Sequence, residues 1–147
     1  MKKNAVLVDT NVFYDINKVD PTLADFLRDK EIYTTQTVYA EIPKKRIPKN
    51  LKILPKKSGV PSVETLLMKV YDKYHKQIRE RKKKHLADLS LIIASLLYDM
   101  PIASTDNVFK GNGIEEIIYR YATQIGLNDD EKKEEFKNYI LKITKRK

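Results

Sequence analysis

The chain has 147 residues, which suffices for one domain with a substantial hydrophobic core and falls short of two domains of ordinary size. Its 29 Lys or Arg residues exceed its 20 Asp or Glu residues, and the formal net charge of +9 favours nucleic acid or another anionic surface as partner, although Lys and Glu enrichment is also typical of hyperthermophile surfaces. The absence of cysteine excludes disulfides, a thiol nucleophile and Cys-ligated zinc, and it agrees with a cytoplasmic location.

The first part of the chain predicts alternating strands and helices. Residues 5–8 (AVLV) are apolar at every position, which is typical of a strand buried on both faces of a parallel sheet. A short helix follows this strand, and a second helix covers 21–28. A strand over 31–35 then leads into a helix over 36–42, which must stop or bend near Pro43.

The middle of the chain is a basic connector followed by an amphipathic helix. Residues 43–61 are rich in proline and lysine, with a short edge strand predicted over 51–54. Ser62 is expected to cap the next helix, because apolar residues recur after it at helical spacing. These residues are Val63, Leu66, Leu67, Val70, Tyr71 and Tyr74.

The last part of the chain predicts one central helix, one strand and two closing helices. The helix over 86–98 is apolar on nearly every side, so we expect it at the centre of the core. A strand over 101–104 completes the alternation that is typical of a parallel α/β sheet. Helices over 114–125 and 129–143 follow. Gly126 is expected to end the first of them and Asn128 to cap the second, whose shared apolar face comprises Phe136, Ile140 and Ile143.

We expect a single domain over 1–147, in which 111–147 forms a helical C-terminal extension. The apolar run at the start of the chain is too short for a signal peptide, and no other stretch approaches the length of a membrane span. We therefore expect no membrane association. The long apolar helices near the C-terminus favour a homodimer.

Four acidic residues fall where an open α/β sheet would gather them. Asp9 and Asp106 directly follow predicted strands, and ligands of such sheets bind at the carboxyl ends of the strands. Glu41 and Asp88 lie on the helices that pass this edge. Each residue also has an ordinary interpretation, because Asp9 can cap a helix, Glu41 can be a solvated helix residue and Asp106 can be a turn former.

Asp88 is the most informative of the four acids. It lies on a helix made otherwise of Leu, Ile, Ala and Ser, where burial of a lone carboxylate costs several kcal/mol unless it is paired or metal-bound. A position near the helix N-terminus returns only about 0.3–1 kcal/mol. A purely structural Asp88 would therefore have to stay solvated. Ser95, two turns further on, could widen a polar seam on the same face.

The acid cluster has a chemical logic in a basic chain. Mg²⁺ and Mn²⁺ prefer oxygen ligands, and phosphodiester hydrolysis needs an activated water and neutralised phosphate charge. Ser104 and Thr105 add hydroxyl groups beside Asp106, and Asn11 adds an amide beside Asp9. The two histidines pair with no nucleophile and no GxxxxGK loop occurs, which excludes Ser-His-Asp catalysis and a phosphate-binding P-loop.

Four passages resemble the PIN-domain nucleases: VLVDTNVF, YTTQTVYAEI, LADLSLIIASLLYDMPIAS and STDNVF, which fall in order between residues 5 and 109. The resemblance implies a three-layer α/β/α fold with a central, mostly parallel sheet. It also implies Mg²⁺- or Mn²⁺-dependent cleavage of single-stranded RNA. Asp9, Glu41, Asp88 and Asp106 match the four acids in order, Asn11 and Ser104 match helper polar positions, and Phe109 matches the aromatic after the last acid. Asp9, Asp88 and Asp106 would bind the metal, and Glu41 would complete the site.

Two branches of that family compete. Toxins of toxin–antitoxin pairs (VapC type) fit the size and the S-x-D-x-x-F spacing, and they would bring an antitoxin protein as partner. Archaeal ribosome-maturation nucleases fit the YTT…EI passage but usually carry a cysteine zinc module, which this chain lacks. No acid neighbours Asp106, so the number of metal ions stays open. A non-catalytic RNA-binding module on the same fold and a structure-specific DNA nuclease are further alternatives.

Two basic stretches are candidates for binding RNA phosphates, one in the connector and one just before the helix that carries Asp88. A solvated charge run explains them equally well. The candidate residues are Lys45, Arg46, Arg79, Arg81, Lys82 and Lys83.

Overall fold

The computed structural model describes residues 5–9, 30–44, 47, 50–56, 58–79, 84–104, 107–109 and 113–144, with the side chains of Arg79 and Lys84 outside the description. The helices predicted directly after Asp9 and over 21–28 lie outside the described residues.

Among the described residues, four strands form one sheet in which every neighbouring pair is parallel. The order is β3-β2-β1-β4, and in the central strand Leu7 pairs with Tyr33 on one side and with Ile102 on the other. The α/β class predicted from the sequence is confirmed. The strands are β1 (Ala5–Val8), β2 (Glu31–Thr34), β3 (Lys52–Ile53) and β4 (Ile102–Ala103).

The central strand β1 is buried at all four of its positions. Successive side chains of a strand point to opposite faces, so both faces of the sheet are covered at β1. This arrangement agrees with the predicted three-layer α/β/α architecture. The edge strand β3 has the opposite pattern, because both of its residues are exposed.

Five α-helices and one 3₁₀ helix occur among the described residues. They are α1 (Gln36–Tyr39), α2 (Val63–Arg79), α3 (Lys84–Tyr98), the 3₁₀ helix (Asn107–Phe109), α4 (Ile114–Gln124) and α5 (Asp130–Thr144).

Helix α1 is shorter than the predicted helix over 36–42. Thr35 caps its start by accepting a hydrogen bond from the backbone nitrogen of Val38 at 3.1 Å. The chain leaves the helix after Tyr39 because the residue before Pro43 is disfavoured in helical conformation. Glu41 consequently lies in the turn that follows α1.

Helix α2 begins as predicted and bends where periodicity predicts no bend. The Ser62 hydroxyl accepts from the backbone nitrogen of Thr65 at 3.1 Å, which confirms Ser62 as the cap. Within the helix, Tyr74 has non-helical backbone angles (φ −118°, ψ 29°) and marks a kink. Its ring remains in the core, where it meets Phe136 edge to face with centroids 4.8 Å apart.

The two closing helices form with one change of cap. Gly126 adopts a left-handed conformation (φ +96°), and Leu127 donates its backbone hydrogen to the carbonyl of Ala122 at 3.0 Å, so the predicted stop is confirmed. The cap of α5 is Asp129, whose Oδ1 accepts from the backbone nitrogen of Glu131 at 2.8 Å. The prediction of Asn128 was wrong by one residue, since the carboxylate directly before the helix also complements its positive end.

Helix α3 is the central helix of the core, as predicted. It packs against α1, α2, α4 and α5, and the hydrophobic cluster around it extends from β1 to α5. In α5 the buried face runs through Phe136, Ile140 and Thr144, with the predicted Ile143 only partly buried beside it. The described part of the predicted C-terminal extension therefore shares the core of the sheet.

Within the described residues, none of the helices combines the length and the apolar character that crossing a membrane requires.

Candidate functional site

Buried polar side chains concentrate at the carboxyl edge of the sheet. Of the six polar or charged residues that are buried among the described residues, only Thr144, at the end of α5, lies elsewhere. The others end β1 or β2, follow them directly, or belong to the first two turns of α3. Together with Ser104, which follows β4, we call them the edge cluster: Asp9, Thr34, Thr35, Asp88, Ser90 and Ser104.

Asp9 is held by the strand that lies beside its own. Its backbone nitrogen donates to the carbonyl of Ala103 at 3.2 Å, which continues the pairing of β1 with β4. The Ser104 hydroxyl donates to Oδ2 of Asp9 at 3.0 Å. The side chain is only 4% exposed, so its carboxylate is fixed in a largely desolvated position. Ser104, a helper position in the family resemblance, thus contacts the first candidate acid directly.

A chain of hydroxyl groups links the segments that carry Asp9 and Asp88. Thr34 donates from its hydroxyl to the carbonyl of Val8 at 3.0 Å. Ser90 donates to the carbonyl of Ala87 at 2.7 Å, and its hydroxyl lies 2.7 Å from that of Thr35. Since Ser90 has a single hydroxyl hydrogen, Thr35 is the donor in that contact.

This hydroxyl chain fixes the backbone just before each of the two acids. Val8 precedes Asp9, and Ala87 precedes Asp88. The residues responsible, Thr34 and Thr35, are neighbours at the end of β2. One dipeptide therefore sets the position of the first acid directly and that of the third acid through Ser90.

Asp88 is buried on α3 with a side chain that is 1% exposed. Its charge acts on the phenol of Tyr121 in α4. Burial first, and then the negative charge of Asp88, raise the pKa of Tyr121 well above its usual value near 10. The helix start offsets only about 0.3–1 kcal/mol of the several kcal/mol that carboxylate burial costs. Asp88 is thus the kind of buried charge that the sequence identified as informative.

The remaining predicted site residues fall outside the edge cluster or outside the description. Glu41 is exposed in the turn after α1. Among the residues that the structure describes, no three His, Cys, Asp or Glu side chains lie close enough together to hold a metal ion. Asn11, Thr105 and Asp106 lie outside the described residues, as do Lys45, Arg46, Arg81, Lys82, Lys83 and the side chain of Arg79.

The sequence singled out Ser104 but not the other hydroxyl residues of the edge cluster, Thr34, Thr35 and Ser90. It singled out Ser95 as an extension of the polar seam, but the Ser95 hydroxyl donates to the carbonyl of Met100 at 2.6 Å, at the far end of α3. Ser90 is the hydroxyl that joins the edge cluster. The available signal was its place two residues after Asp88 in an otherwise apolar helix, together with paired threonines at a strand end.

A surface cleft of about 110 Å³ opens next to the edge cluster. Thr35 and Gln36 line it on the side of β2, Leu54 lines it on the side of β3, and Glu64 lines it at the start of α2. Thr35 thus faces both the cleft and Ser90. The space exceeds the volume that a single water needs several-fold, so a small polar group can reach this edge of the sheet from solvent.

Comparison of the chain with protein-family models, with curated proteins and with solved structures found no match.

Proposed function

We propose that this protein is a divalent-metal-dependent endoribonuclease that hydrolyses phosphodiester bonds of single-stranded RNA at the edge cluster. The observation that carries the proposal is the burial of two carboxylates, Asp9 and Asp88, at the carboxyl edge of a parallel sheet in a chain of net charge +9. A divalent ion bound there would offset the cost of burying these carboxylates and their repulsion of an anionic substrate.

The donor set suits Mg²⁺ or Mn²⁺. Both acids offer only oxygen ligands, and Mg²⁺ is commonly held by one or two carboxylates together with waters and substrate phosphates. Asp9 and Asp88 would hold the ion, and Asp106 is the further ligand proposed from the sequence. When bound, such a metal lowers the pKa of a bound water and neutralises charge on the phosphate.

The chain's own residues keep the two acids in place. The Ser104 hydroxyl donates a hydrogen bond to Oδ2 of Asp9 and so orients that carboxylate. Thr34 restrains the carbonyl before Asp9, and Ser90, held by Thr35, restrains the carbonyl before Asp88. Bonds of this kind spare the site a reorganisation when substrate arrives. Glu41 is proposed to complete the site from its exposed turn.

The positive charge supports RNA as the substrate class. An excess of Lys and Arg attracts a phosphate backbone, and the resulting affinity falls with rising salt concentration. Lys56 is one such cation, and it lines the cleft beside the edge cluster. We therefore expect RNA binding to weaken steeply as salt is raised.

The test is cleavage of a labelled single-stranded RNA by wild type, Asp9→Asn and Asp72→Asn proteins, each with Mg²⁺, with Mn²⁺ and with EDTA. Asp72 is exposed on α2, so Asp72→Asn makes the same chemical change away from the site. We expect metal-dependent cleavage by wild type and Asp72→Asn, none with EDTA, and none by Asp9→Asn.

Other outcomes identify the alternatives. RNA binding without cleavage, unchanged by EDTA, would overturn the proposal in favour of a non-catalytic binding module. Preferential cleavage of single-stranded or flapped DNA in parallel reactions would replace RNA by DNA as the substrate and leave the metal chemistry intact.

A further inference from the structure

Helix α4 contacts two segments that are next to candidate acids in the sequence. One leads to Asp88, and the other follows Asp106. The guanidinium of Arg120 donates from Nη1 to the carbonyls of Asn107 and Val108, at 3.1 and 3.2 Å. The hydroxyl of the next residue, Tyr121, donates to the carbonyl of His85 at 2.6 Å. Two adjacent residues of one helix therefore hold the 3₁₀ helix and the first turn of α3.

The carbonyls that these two residues contact are close in the sequence to the third and the fourth candidate acids. His85 precedes Asp88 by three residues, so it lies one helical turn before that acid on α3. Asn107 directly follows Asp106 in the sequence. These contacts restrain the first turn of α3, which leads to the third acid, and the described residues that follow the fourth.

Tyr121 is itself held rigidly. Its ring is fully buried and stacks on Phe136 of α5, with centroids 5.9 Å apart and planes inclined by 25°. The His85 ring lies edge-on to it at 6.1 Å. A phenol with an ordinary pKa near 10 is protonated at neutral pH, so the hydroxyl is a donor there.

Arg120 is positioned by its own helix. Its Nη2 donates to Oε1 of Glu116, one turn earlier on α4, at 2.8 Å. Its side chain is 32% exposed, so it contributes little to the hydrophobic core. The two backbone carbonyls are the contacts that tie it to the rest of the fold. The fork of the guanidinium suits this role, because one terminal nitrogen serves the carbonyls while the other serves the carboxylate.

We infer that α4 is a positioning clamp for the catalytic site, in which Tyr121 sets the segment of Asp88 and Arg120 sets the segment that follows Asp106. The inference rests on the proposed function for its catalytic meaning. Tyr121 and Arg120 act through the backbone of other residues, so they are positioning residues. Helix α4 thus has a role in metal binding besides its contribution to the core.

The variants are Tyr121→Phe and Arg120→Lys, each with a matched control on the same helix. Tyr121→Phe keeps the buried ring and removes the hydroxyl. Its control is Tyr119→Phe, which removes a hydroxyl that donates to the carbonyl of Asp130 at 3.3 Å. Arg120→Lys keeps the charge and loses the fork. Its control is Glu115→Gln on the same helix, which removes the ion pair with Lys137 at 3.5 Å and leaves the contacts of Arg120 intact.

Two readouts separate positioning from simple stability. The first is amide hydrogen exchange in full-length protein without metal, over 84–90 for Tyr121→Phe and over 107–109 for Arg120→Lys. The second is Mn²⁺ affinity, followed by the spin-resonance signal of the free ion. We expect faster exchange confined to those segments and about 10-fold to 100-fold weaker Mn²⁺ binding, as for the loss of an outer partner of a metal ligand. The controls should change neither.

The outcomes distinguish a failed clamp from a failed function. Unchanged local exchange and unchanged Mn²⁺ affinity in both variants would overturn the clamp even if the protein cleaves RNA. Exchange that rises uniformly over the whole chain would reduce Tyr121 and Arg120 to ordinary stabilising residues. If wild type binds no Mn²⁺ and cleaves no RNA, the proposed function fails, while local exchange still decides whether α4 restrains the two segments.

Discussion

The two halves of helix α3 both bury side chains in the core, but those side chains differ in chemistry. The second half buries apolar residues, among them Leu91, Ile92 and Leu97. The first half buries the polar residues Asp88 and Ser90. The Ser90 hydroxyl has a partner outside the helix, since it lies 2.7 Å from that of Thr35. Burial, and then the charge of Asp88, raise the pKa of Tyr121 on α4.

Under the proposed function, the first half of α3 is where stability is given up for metal binding. Apolar side chains would fill the first half of α3 at least as well as Asp88 and Ser90 do, because replacing a buried charge by a hydrophobic residue is often neutral or stabilising. Polar residues that break the local rule of an apolar helix are expected at functional sites. The second half therefore holds the fold together, and the first half serves the edge cluster.

The largest effect is expected from Asp88→Asn. This change removes one carboxylate charge from the edge cluster and keeps the size of the side chain. Cleavage should fall by on the order of 10⁴-fold, as when one member of a catalytic set is lost. The free energy of unfolding without metal should stay the same or rise, because the variant no longer buries a carboxylate charge. Single-turnover RNA cleavage and urea denaturation measure the two quantities.

Asp99→Asn is the matched control for Asp88→Asn. Asp99 follows the other end of α3, is exposed, and has a left-handed backbone (φ 55°) that Asn tolerates as well as Asp. Full activity in Asp99→Asn is expected. Undiminished cleavage in Asp88→Asn would contradict the assignment of the first half of α3 to the site.

The opposite profile is expected from Leu91→Ala in the second half of the helix. Leu91 is fully buried, so the change removes packing atoms and leaves a cavity. The free energy of unfolding should fall by about 2–5 kcal/mol. Cleavage per folded molecule, measured below the melting temperature, should stay near wild type. A selective loss of activity in a fully folded Leu91→Ala protein would show that the two halves are not separable.

Smaller effects on stability and Mn²⁺ affinity are expected from two serine substitutions, one in each half of α3. Ser90→Ala breaks the links to Thr35 and Ala87, and Ser95→Ala breaks the bond to Met100. Each should lower the free energy of unfolding by about 1 kcal/mol, the usual net value of one hydrogen bond. Only Ser90→Ala should also weaken Mn²⁺ binding, by about 10-fold. Equal Mn²⁺ affinities in the two variants would remove the hydroxyl chain from the functional account.

The smallest effect, with the opposite sign, is expected from Tyr74→Phe. The Tyr74 hydroxyl is buried and makes no hydrogen bond to the described residues, in contrast to the bonded hydroxyl of Tyr121. Removing an unsatisfied buried hydroxyl should leave the free energy of unfolding unchanged or raise it by about 1 kcal/mol. Urea denaturation at neutral pH measures the change, and a loss of more than about 1 kcal/mol would contradict this description of Tyr74.

Alkaline pH should enlarge the difference in stability between wild type and Tyr74→Phe. Burial, and then the charge of Glu135, raise the pKa of Tyr74 above its ordinary value near 10. Above that pH the unfolded chain releases the phenolic proton while the folded chain retains it, so wild type loses stability as pH rises. The advantage of Tyr74→Phe over wild type should therefore widen above about pH 10.

Much of the fold could be predicted because its signals are local. The uniformly apolar run of β1, the cap at Ser62 and the stop at Gly126 are each written in a few adjacent residues. The departures need contacts from elsewhere. The kink at Tyr74, whose ring meets Phe136 across the core, leaves no trace in the helical periodicity of the sequence.

The two acids of the edge cluster could be predicted from the sequence, whereas most of the hydroxyl groups around them could not. Asp88 could be selected because a carboxylate among apolar residues is costly to bury, and Asp9 because it follows a strand at the carboxyl edge of the sheet. The bonds from Thr34 to Val8 and from Thr35 to Ser90 join residues far apart in the chain. A serine in a helix bonds equally well to its own backbone, as Ser95 does, so only the three-dimensional arrangement distinguishes it from Ser90.

The most direct test of the account is Mn²⁺ binding to wild type and to three Asp→Asn variants, at Asp9, Asp88 and Asp99, followed by the spin-resonance signal of the free ion. The account predicts that wild type and Asp99→Asn bind alike, and that Asp9→Asn and Asp88→Asn each bind at least about 10-fold more weakly. Equal affinity in all four proteins, or no Mn²⁺ binding by wild type, would contradict a metal site at the carboxyl edge of the sheet.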